Sequence, residues 1–235
     1  MADRPINQPK KTNQAVRYAA LAGAVVGALL ARPVIKPWID QHISAFSPAH
    51  GWPILASFVP WVLFSIYWEF EAKNSAPAIS SESKFSRAIH VVLANSALLL
   101  MLVPLRGLNQ RFLPDRLIVN LFGLAAECAG LALAIWARHV LGHNWSGEIT
   151  IKADHELVRT GPYGIVRHPI YSALLAMYAG TAIVSGRMHA LVGLLLAIIA
   201  YLRKARMEEA NLQNAFGEKY GAYRNDTWAL VPRVY

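Results

Sequence analysis

Residues 155–171 read HELVRTGPYGIVRHPIY, a polar stretch punctuated by glycine that lies between two long apolar segments. A loop that only links two membrane helices does not need so many charged and hydrogen-bonding side chains. A loop that folds over a polar ligand at the membrane surface does need them. We therefore interpret His155–Tyr171 as the centre of a ligand site that membrane helices hold from both sides.

The composition around this stretch is typical of a polytopic membrane protein. Of the 235 residues, 55% are hydrophobic and 16% are charged, whereas soluble domains carry about 25% charged residues. The mean hydropathy is +0.31, and apolar runs of about 17–24 residues recur, which is enough to cross a bilayer. We predict an all-α fold, a single membrane-embedded domain with about five or six transmembrane helices.

Two further features of the composition limit the partners. The net charge of +9 would suggest nucleic acid in a soluble protein, but basic cytoplasmic loops and anionic lipid headgroups explain it better here. We therefore expect membrane lipids as partners and no nucleic acid. The single cysteine, Cys128, allows neither an intrachain disulfide nor a cysteine-based metal site, and we expect no metal.

Six apolar segments are predicted to form the transmembrane helices, and residues 1–14 are predicted to be a polar cytoplasmic tail. We divide the remainder into N-terminal transmembrane helices, residues 15–140, and a C-terminal catalytic region, residues 141–235, which includes the last two helices. After the sixth segment a helical continuation is predicted to about Tyr223. The predicted spans are Ala15–Ala31, Trp52–Trp68, Ala88–Leu105, Leu117–Val140, Ile170–Ser185 and His189–Leu202.

The distribution of basic residues predicts the orientation. With six spans, 17 of the 23 lysines and arginines fall on the side that carries the N-terminal tail, the 141–169 loop and the C-terminal tail, and 6 fall on the other side. The side richer in basic residues is normally cytoplasmic. Both termini and the active site are therefore predicted to be cytoplasmic, with a cofactor pocket formed by the 141–169 loop and the C-terminal helix.

Three local patterns carry the chemistry, and each also has a plainer explanation. The sequence GPYG at 161–164 presets a turn and permits close approach of a ligand, although an ordinary turn before a helix would look the same. The sequence RHP at 167–169 places two basic residues at a helix N-terminus, which favours a carboxylate or phosphate, including lipid phosphate. The charged run at 203–209 is, by itself, a salt-bridged helix end.

Together and in this order, these patterns resemble the isoprenylcysteine carboxyl methyltransferase family and related membrane-embedded methyltransferases. The resemblance covers roughly Leu141 to Pro232 and rests on HELV at 155–158, GPY at 161–163, RHPIY at 167–171 and EEANLQNAFGEKYGAY at 208–223. It implies S-adenosylmethionine as cofactor and a lipophilic or prenylated acceptor. No GxGxxG follows a predicted strand, so a soluble Rossmann-type methyltransferase domain is not indicated.

The resemblance also implies the site residues. Lys204, Glu208 and Arg167 are assigned to catalysis, and Lys204 with Arg203 to the substrate. In the family an arginine four residues before the matching glutamate contacts the substrate. This chain has Lys204 there, which can neutralise a carboxylate but lacks the bidentate fork of arginine, and Arg203 or Arg206 could substitute. The implied cofactor-binding residues are His155, Glu156, Leu157, Val158, Tyr163, His168, Pro169, Ile170, Tyr171 and Glu208.

The acceptor group most consistent with the sequence is a carboxylate, as in a prenylcysteine-like substrate. A carboxylate is already ionised at pH 7 and needs no base, whereas an amine or thiol would usually have to lose a proton. Glu127 is the one candidate base, because an intramembrane acid is functional by default, but a structural hydrogen bond between helices is an equal alternative. Asn95 is interpreted as a contact between helices.

Two other functions stay open from the sequence. A membrane NADPH-dependent reductase of the sterol type would share a related C-terminal architecture, but it would need a site for a 2′-phosphate and a longer set of helices. A non-enzymatic membrane protein, such as a transporter or an assembly factor, is disfavoured because polar residues concentrate at one surface and are sparse along the spans.

Overall fold

The structure, a computed structural model, describes residues 52–71, 78–81, 83–102, 105–142, 150–152 and 157–234. Within these residues the chain forms six α-helices, one 3-10 helix and two short strands. In chain order they are α1 (Trp52–Glu71), β1 (Ala78–Ser81), α2 (Lys84–Leu102), α3 (Leu117–Leu141), β2 (Thr150–Lys152), the 3-10 helix (Gly161–Gly164), α4 (Pro169–Ser185), α5 (Met188–Phe216) and α6 (Glu218–Asp226).

The predicted all-α class is confirmed, and the described helices lie close to their predicted positions. Helices α1, α3 and α5 are each long and apolar enough to cross a membrane, and α2 and α4 contain shorter apolar stretches. The predicted continuation of the last helix is interrupted at Gly217, whose φ of 52° lies in the left-handed region that ends helices. The predicted tail 1–14 and the predicted span Ala15–Ala31 lie outside the described residues.

Helices α3 and α4 pack with their backbones in contact. A Cβ atom on Gly180 would lie 2.5 Å from the carbonyl oxygen of Gly123 and 2.6 Å from Cγ of Glu127, and one on Gly130 would lie 2.7 Å from the carbonyl oxygen of Ala173. Small residues permit such close approach between membrane helices, where van der Waals packing drives association. The α3–α4 contact therefore fixes where α4 begins.

A buried polar network joins α1, α3 and α4 beside this contact. Glu127 is 0% exposed, and its Oε1 accepts hydrogen bonds from Ser57 and, at 2.8 Å, from the hydroxyl of Thr181. The indole N–H of Trp61 donates to the same Thr181 hydroxyl at 3.0 Å. These contacts support the structural role of Glu127. Asn95, interpreted from the sequence as a contact between helices, does not make one here. It lies on the exposed face of α2, and its side-chain amide donates to the Val91 carbonyl of the same helix at 2.7 Å.

The helices have two dissimilar ends. At one end the α2–α3 connection bonds to the α4–α5 turn, with the Phe112 amide donating to the Gly186 carbonyl at 2.8 Å and the Met188 amide to the Gln110 carbonyl at 3.0 Å. At the other end β1 and β2 pair in an antiparallel ladder that joins the α1–α2 and α3–α4 connections. The start of α4 and the charged half of α5 meet at this second end, where the predicted site lies.

Replacing Gly180 by alanine tests the α3–α4 contact. The new methyl group would overlap the Gly123 carbonyl and the fully buried Glu127, so we expect destabilisation of about 1–3 kcal/mol and a lower Tm in detergent. Gly221→Ala in α6 is the control, because nothing lies within 4 Å of its Cβ position. That variant should be unchanged or slightly more stable. Equal Tm values for the two variants would contradict close backbone packing at Gly180.

Candidate active site

The start of α4 is held by the C-terminal tail through the backbone. Pro169 occupies the first turn of the helix, where its missing N–H costs no hydrogen bond. The amides of Arg167 and His168 donate to the carbonyls of Trp228 and Ala229 at 2.8 and 3.1 Å. The tail thus runs beside the RHPIY motif like a neighbouring strand, and it fixes the direction in which Arg167 and His168 leave the chain.

The Arg167 side chain joins α5 to the C-terminal tail. Its Nε donates to Oε1 of Glu209 at 2.8 Å, and its Nη1 donates to the carbonyls of Arg224, at 3.1 Å, and Thr227. The side chains of Arg167 and Glu209 are only 8% and 15% exposed. The sequence assigned Arg167 to catalysis, and the contacts observed are with the protein itself, so it positions the elements that surround the site.

His168 lies between two carboxylates of α5. Its Nδ1 is 3.5 Å from Oε2 of Glu208, and its Nε2 is 3.3 Å from Oε1 of Glu209. Burial lowers the pKa of His168, but the hydrogen bonds and negative charges of Glu208 and Glu209 outweigh burial, and the pKa is raised above its ordinary value of 6.5. Only the imidazolium form donates from both nitrogens, so this environment stabilises the charged ring.

Glu208 is the more accessible of the two carboxylates. Its Oε2 accepts a hydrogen bond from the Tyr171 hydroxyl at 2.8 Å, and its side chain is 34% exposed against 15% for Glu209. The Tyr171 ring stacks on His168 with centroids 5.3 Å apart, and Nζ of Lys204 lies 5.8 Å from the Tyr171 centroid. Lys204, Glu208, His168 and Tyr171 therefore form one cluster at the junction of α4 and α5, which we call the carboxylate cluster.

The GPYG turn forms the 3-10 helix and is joined to α6. Gly161 has a φ of 58°, in the left-handed region where glycine is unstrained. The Tyr163 ring is buried, and the Tyr163 carbonyl accepts a hydrogen bond from the Tyr223 hydroxyl at 2.7 Å. The tail region thus contacts both GPYG and RHPIY, and places these two motifs in a single assembly.

The remaining predicted site residues differ in burial and in their contacts, and two of them lie outside the described residues. Leu157 and Val158 are half-buried, and Val158 packs against the hydrophobic core. His155 and Glu156 lie outside the described residues. Pro169 and Ile170 are buried in the first turn of α4. Arg203, assigned to the substrate, instead donates to the Ser86 hydroxyl of α2 at 2.8 Å, so it also connects helices.

Two charged residues at this end of the helices were not singled out from the sequence. Glu209 is the ion-pair partner of Arg167. The sequence feature that could have identified it is its place as the second acid of the EE pair. Arg138 is 1% exposed and donates to the carbonyls of Gly142 and Glu71, both at 2.7 Å, with the Glu71 carboxylate 3.4 Å away. The sequence feature that could have identified Arg138 is its position, as an arginine in the last turn of an apolar helix.

The similarity to known proteins includes the region of the carboxylate cluster. Residues 118–219 match the model of a family described as phospholipid methyltransferase. The protein-S-isoprenylcysteine O-methyltransferase of Saccharomyces cerevisiae is 30% identical over 101 residues, which cover 42% of this chain and 42% of the relative. The resemblance to the isoprenylcysteine carboxyl methyltransferase family is confirmed. The matched part of the chain spans about two fifths of the length of that yeast relative.

A solved structure of a member of this family is also similar. It is the eukaryotic intramembrane Ras methyltransferase, isoprenylcysteine carboxyl methyltransferase, with 21% sequence identity and a TM-score of 0.43. The match covers 87% of this chain and 61% of that chain. In the present protein the residues that match the phospholipid methyltransferase model begin in α3 and include the whole carboxylate cluster.

The raised pKa of His168 predicts how stability depends on pH. Because the folded-state pKa lies above the unfolded value, the stabilisation is fully present below about pH 6.5 and is lost as the pH rises through the folded-state pKa. The wild-type Tm should therefore fall over that range, and His168→Gln should remove this component. The exposed His139 gives the control His139→Gln, which should keep the wild-type profile. Parallel curves for wild type and His168→Gln would contradict the assignment.

Proposed function

We propose that this chain is an integral membrane methyltransferase that uses S-adenosylmethionine to methylate the carboxylate of a lipophilic, prenylcysteine-like acceptor. One observation carries the proposal. The accessible carboxylate of Glu208 is held by Tyr171 and His168 at the junction of α4 and α5, inside the stretch that matches a methyltransferase family. The name of the yeast relative supplies the class of acceptor.

The residues of the carboxylate cluster fit S-adenosylmethionine. Its amino group and ribose hydroxyls are hydrogen-bond donors, and they suit the half-buried Glu208 carboxylate. Its adenine suits apolar and aromatic walls, which Leu157, Val158 and Tyr163 could supply beside Tyr171. When bound, the cofactor supplies a methyl group activated on a sulfonium. His155, Glu156, Pro169 and Ile170 complete the cofactor-binding residues that we propose, as the resemblance implies.

The chain's own residues would mainly bind and orient. Arg167 and Glu209 form a largely buried ion pair that holds the start of α4 against α5, and His168 keeps Glu208 in place between the helices. Lys204 presents its ammonium next to Tyr171, where it can hold an acidic acceptor. That acceptor is ionised at pH 7 and needs no base, so correct positioning accounts for much of the catalytic effect.

We further propose that the carboxylate cluster faces the cytoplasm, with residues 141–235 as the catalytic region. The excess of basic residues on the side of the 141–169 loop and the C-terminal tail supports this orientation. The ends of α1 and α3, the charged half of α5 and the starts of α2 and α4 lie together, so these connections share one side. Cysteine labelling from each side of the membrane tests the orientation.

Cofactor binding is expected to stabilise the detergent-solubilised protein. At a hundredfold excess over Kd, S-adenosylmethionine should add about 2.7 kcal/mol, measured as a rise in Tm, whereas NADPH should have no effect. Glu208→Gln should reduce the shift because it removes the negative charge that faces the ligand. The exposed Glu218 gives the matched control Glu218→Gln, which should respond like wild type. A shift with NADPH and none with S-adenosylmethionine would favour the reductase.

Lys204 is expected to act on the acceptor rather than on the cofactor. Its positive charge would repel a sulfonium but attract a carboxylate, so Lys204→Ala should raise KM for the acceptor or lower kcat and leave cofactor affinity nearly unchanged. Lys204→Arg should be tolerated, because arginine can pair with a carboxylate through two hydrogen bonds.

Acceptor kinetics and calorimetric titration of S-adenosylmethionine are the measurements, and Lys219→Ala at an exposed position of α6 is the control. A Lys204→Ala protein that loses cofactor affinity but methylates normally at saturating cofactor would reverse the assignment. Unchanged kinetics would make Lys204 an ordinary charge at a helix end.

A further inference from the structure

The last part of the chain, which we call the tail segment (Trp228–Val234), runs beside the start of α4 in the same direction as that helix. Trp228 forms a parallel bridge with Val166, ahead of the helix. Further along the tail segment, the Leu230 carbonyl accepts a hydrogen bond from the Ser172 hydroxyl, in the first turn of α4, at 2.6 Å. The tail segment therefore follows α4 toward its apolar part instead of leading away from it.

The packing of α4 against α3 shows how deep this place is in the membrane. The two helices are antiparallel, and Ala173 lies against Gly130. In this register Pro169, the first residue of α4, lies opposite about residue 134, so α3 continues for about 10 Å past it before ending at Leu141. Helix α4 has 17 residues, or about 25 Å, which is less than the hydrocarbon core of about 30 Å. The start of α4, with the tail segment beside it, therefore lies at the boundary between headgroups and acyl chains.

The outward side of the tail segment is apolar. Trp228, Val231 and Val234 are 45%, 47% and 77% exposed, whereas Leu230 between them is buried. Next to them is the exposed Ile165, whose carbonyl accepts the Trp228 amide at 3.2 Å. Tryptophan is enriched at membrane interfaces because its ring is amphipathic. The tail segment thus has one side that packs on the protein and one apolar side that is open at the depth of the lipid.

Basic side chains border this apolar surface. Arg233 lies between Val231 and Val234 in the chain and is exposed. The exposed charged residues of 157–166 and 217–234 are four basic and two acidic, and one of the acids, Asp226, is 3.7 Å from Arg159. The remaining charge is positive, and it complements the phosphates and anionic lipids of a membrane surface.

We infer that the tail segment is an interfacial anchor, with Trp228, Val231 and Val234 inserted at the headgroup–acyl boundary of a phospholipid bilayer and Arg233 bound to lipid phosphate. The same segment supplies the backbone acceptors for the amides that precede α4. Contact with lipid therefore helps to hold the start of α4, and with it the carboxylate cluster. The inference concerns the membrane and does not depend on which reaction the chain catalyses.

Spin labels measure the depth of the tail segment in the whole protein, reconstituted in vesicles of phosphatidylcholine and phosphatidylglycerol. In a Cys128→Ser background, the label on Val231→Cys should be relaxed more by oxygen, which concentrates in lipid, than by a water-soluble nickel chelate. Phe122→Cys, exposed on α3, gives the lipid reference, and Lys219→Cys, exposed on α6, gives the water reference. A label on position 231 that behaves like the one on position 219 overturns the inference. Spin–spin broadening that disappears on dilution with unlabelled protein also overturns it, because a second copy would then cover the surface.

Hydrogen exchange at the amides of Arg167 and His168 measures how the anchor acts on the site. Val231→Asp places a charge at the depth of the lipid, which is costly, so exchange in vesicles should be about tenfold faster than in wild type. Asn225→Asp, at an exposed position of α6, makes the same change of charge outside the apolar surface and should exchange like wild type. If Val231→Asp does not fold, Val231→Ser replaces it, with a smaller increase expected. Exchange rates that match wild type in the position 231 variant, or that rise equally in Asn225→Asp, overturn the anchor's role in holding α4.

Discussion

The two adjacent carboxylates on α5 and the two basic residues that precede α4 form the interaction on which the rest of the site depends. Glu208 and Glu209 would repel each other in a buried place without cations, and Arg167 and His168 would be costly there without acids. Each ring nitrogen of His168 faces one of the carboxylates, and the guanidinium of Arg167 forms an ion pair with Glu209. The charges at each helix end would be unpaired without those at the other, so the packing of α4 against α5 depends on both sets.

That mutual dependence explains why so many contacts converge on one short motif. The close α3–α4 packing at Gly130 and Ala173 lies one turn from the start of α4, and the C-terminal tail holds the motif through backbone bonds. Glu209 is used for holding the helices together, which leaves Glu208 more exposed for a ligand. One acid of the pair therefore holds the helices together, and the other is the one we propose for ligand binding.

Hydropathy predicted the described helices well, because a span of apolar residues has few alternatives in a bilayer. The family resemblance also grouped Glu208, His168 and Tyr171 in one predicted site, and these three side chains lie together. The sequence does not show which of the two acids pairs with Arg167. Glu208 and Glu209 are neighbours in the chain, and only the rotation of α5 about its axis decides which carboxylate faces Arg167. Arg203 was assigned to the substrate, yet it bonds Ser86, because the position of α2 beside α5 is a tertiary feature that no local pattern encodes.

The docking of the tail has a consequence for how the protein is made. The carbonyls of Trp228 and Ala229 receive the amides of Arg167 and His168, although some sixty residues and two membrane helices separate the partners along the chain. During synthesis, RHPIY is therefore made well before its backbone partners, with α4 and α5 between them. The backbone bonds that fix the start of α4 can therefore form only once nearly the whole described chain has been made, so this junction is completed last.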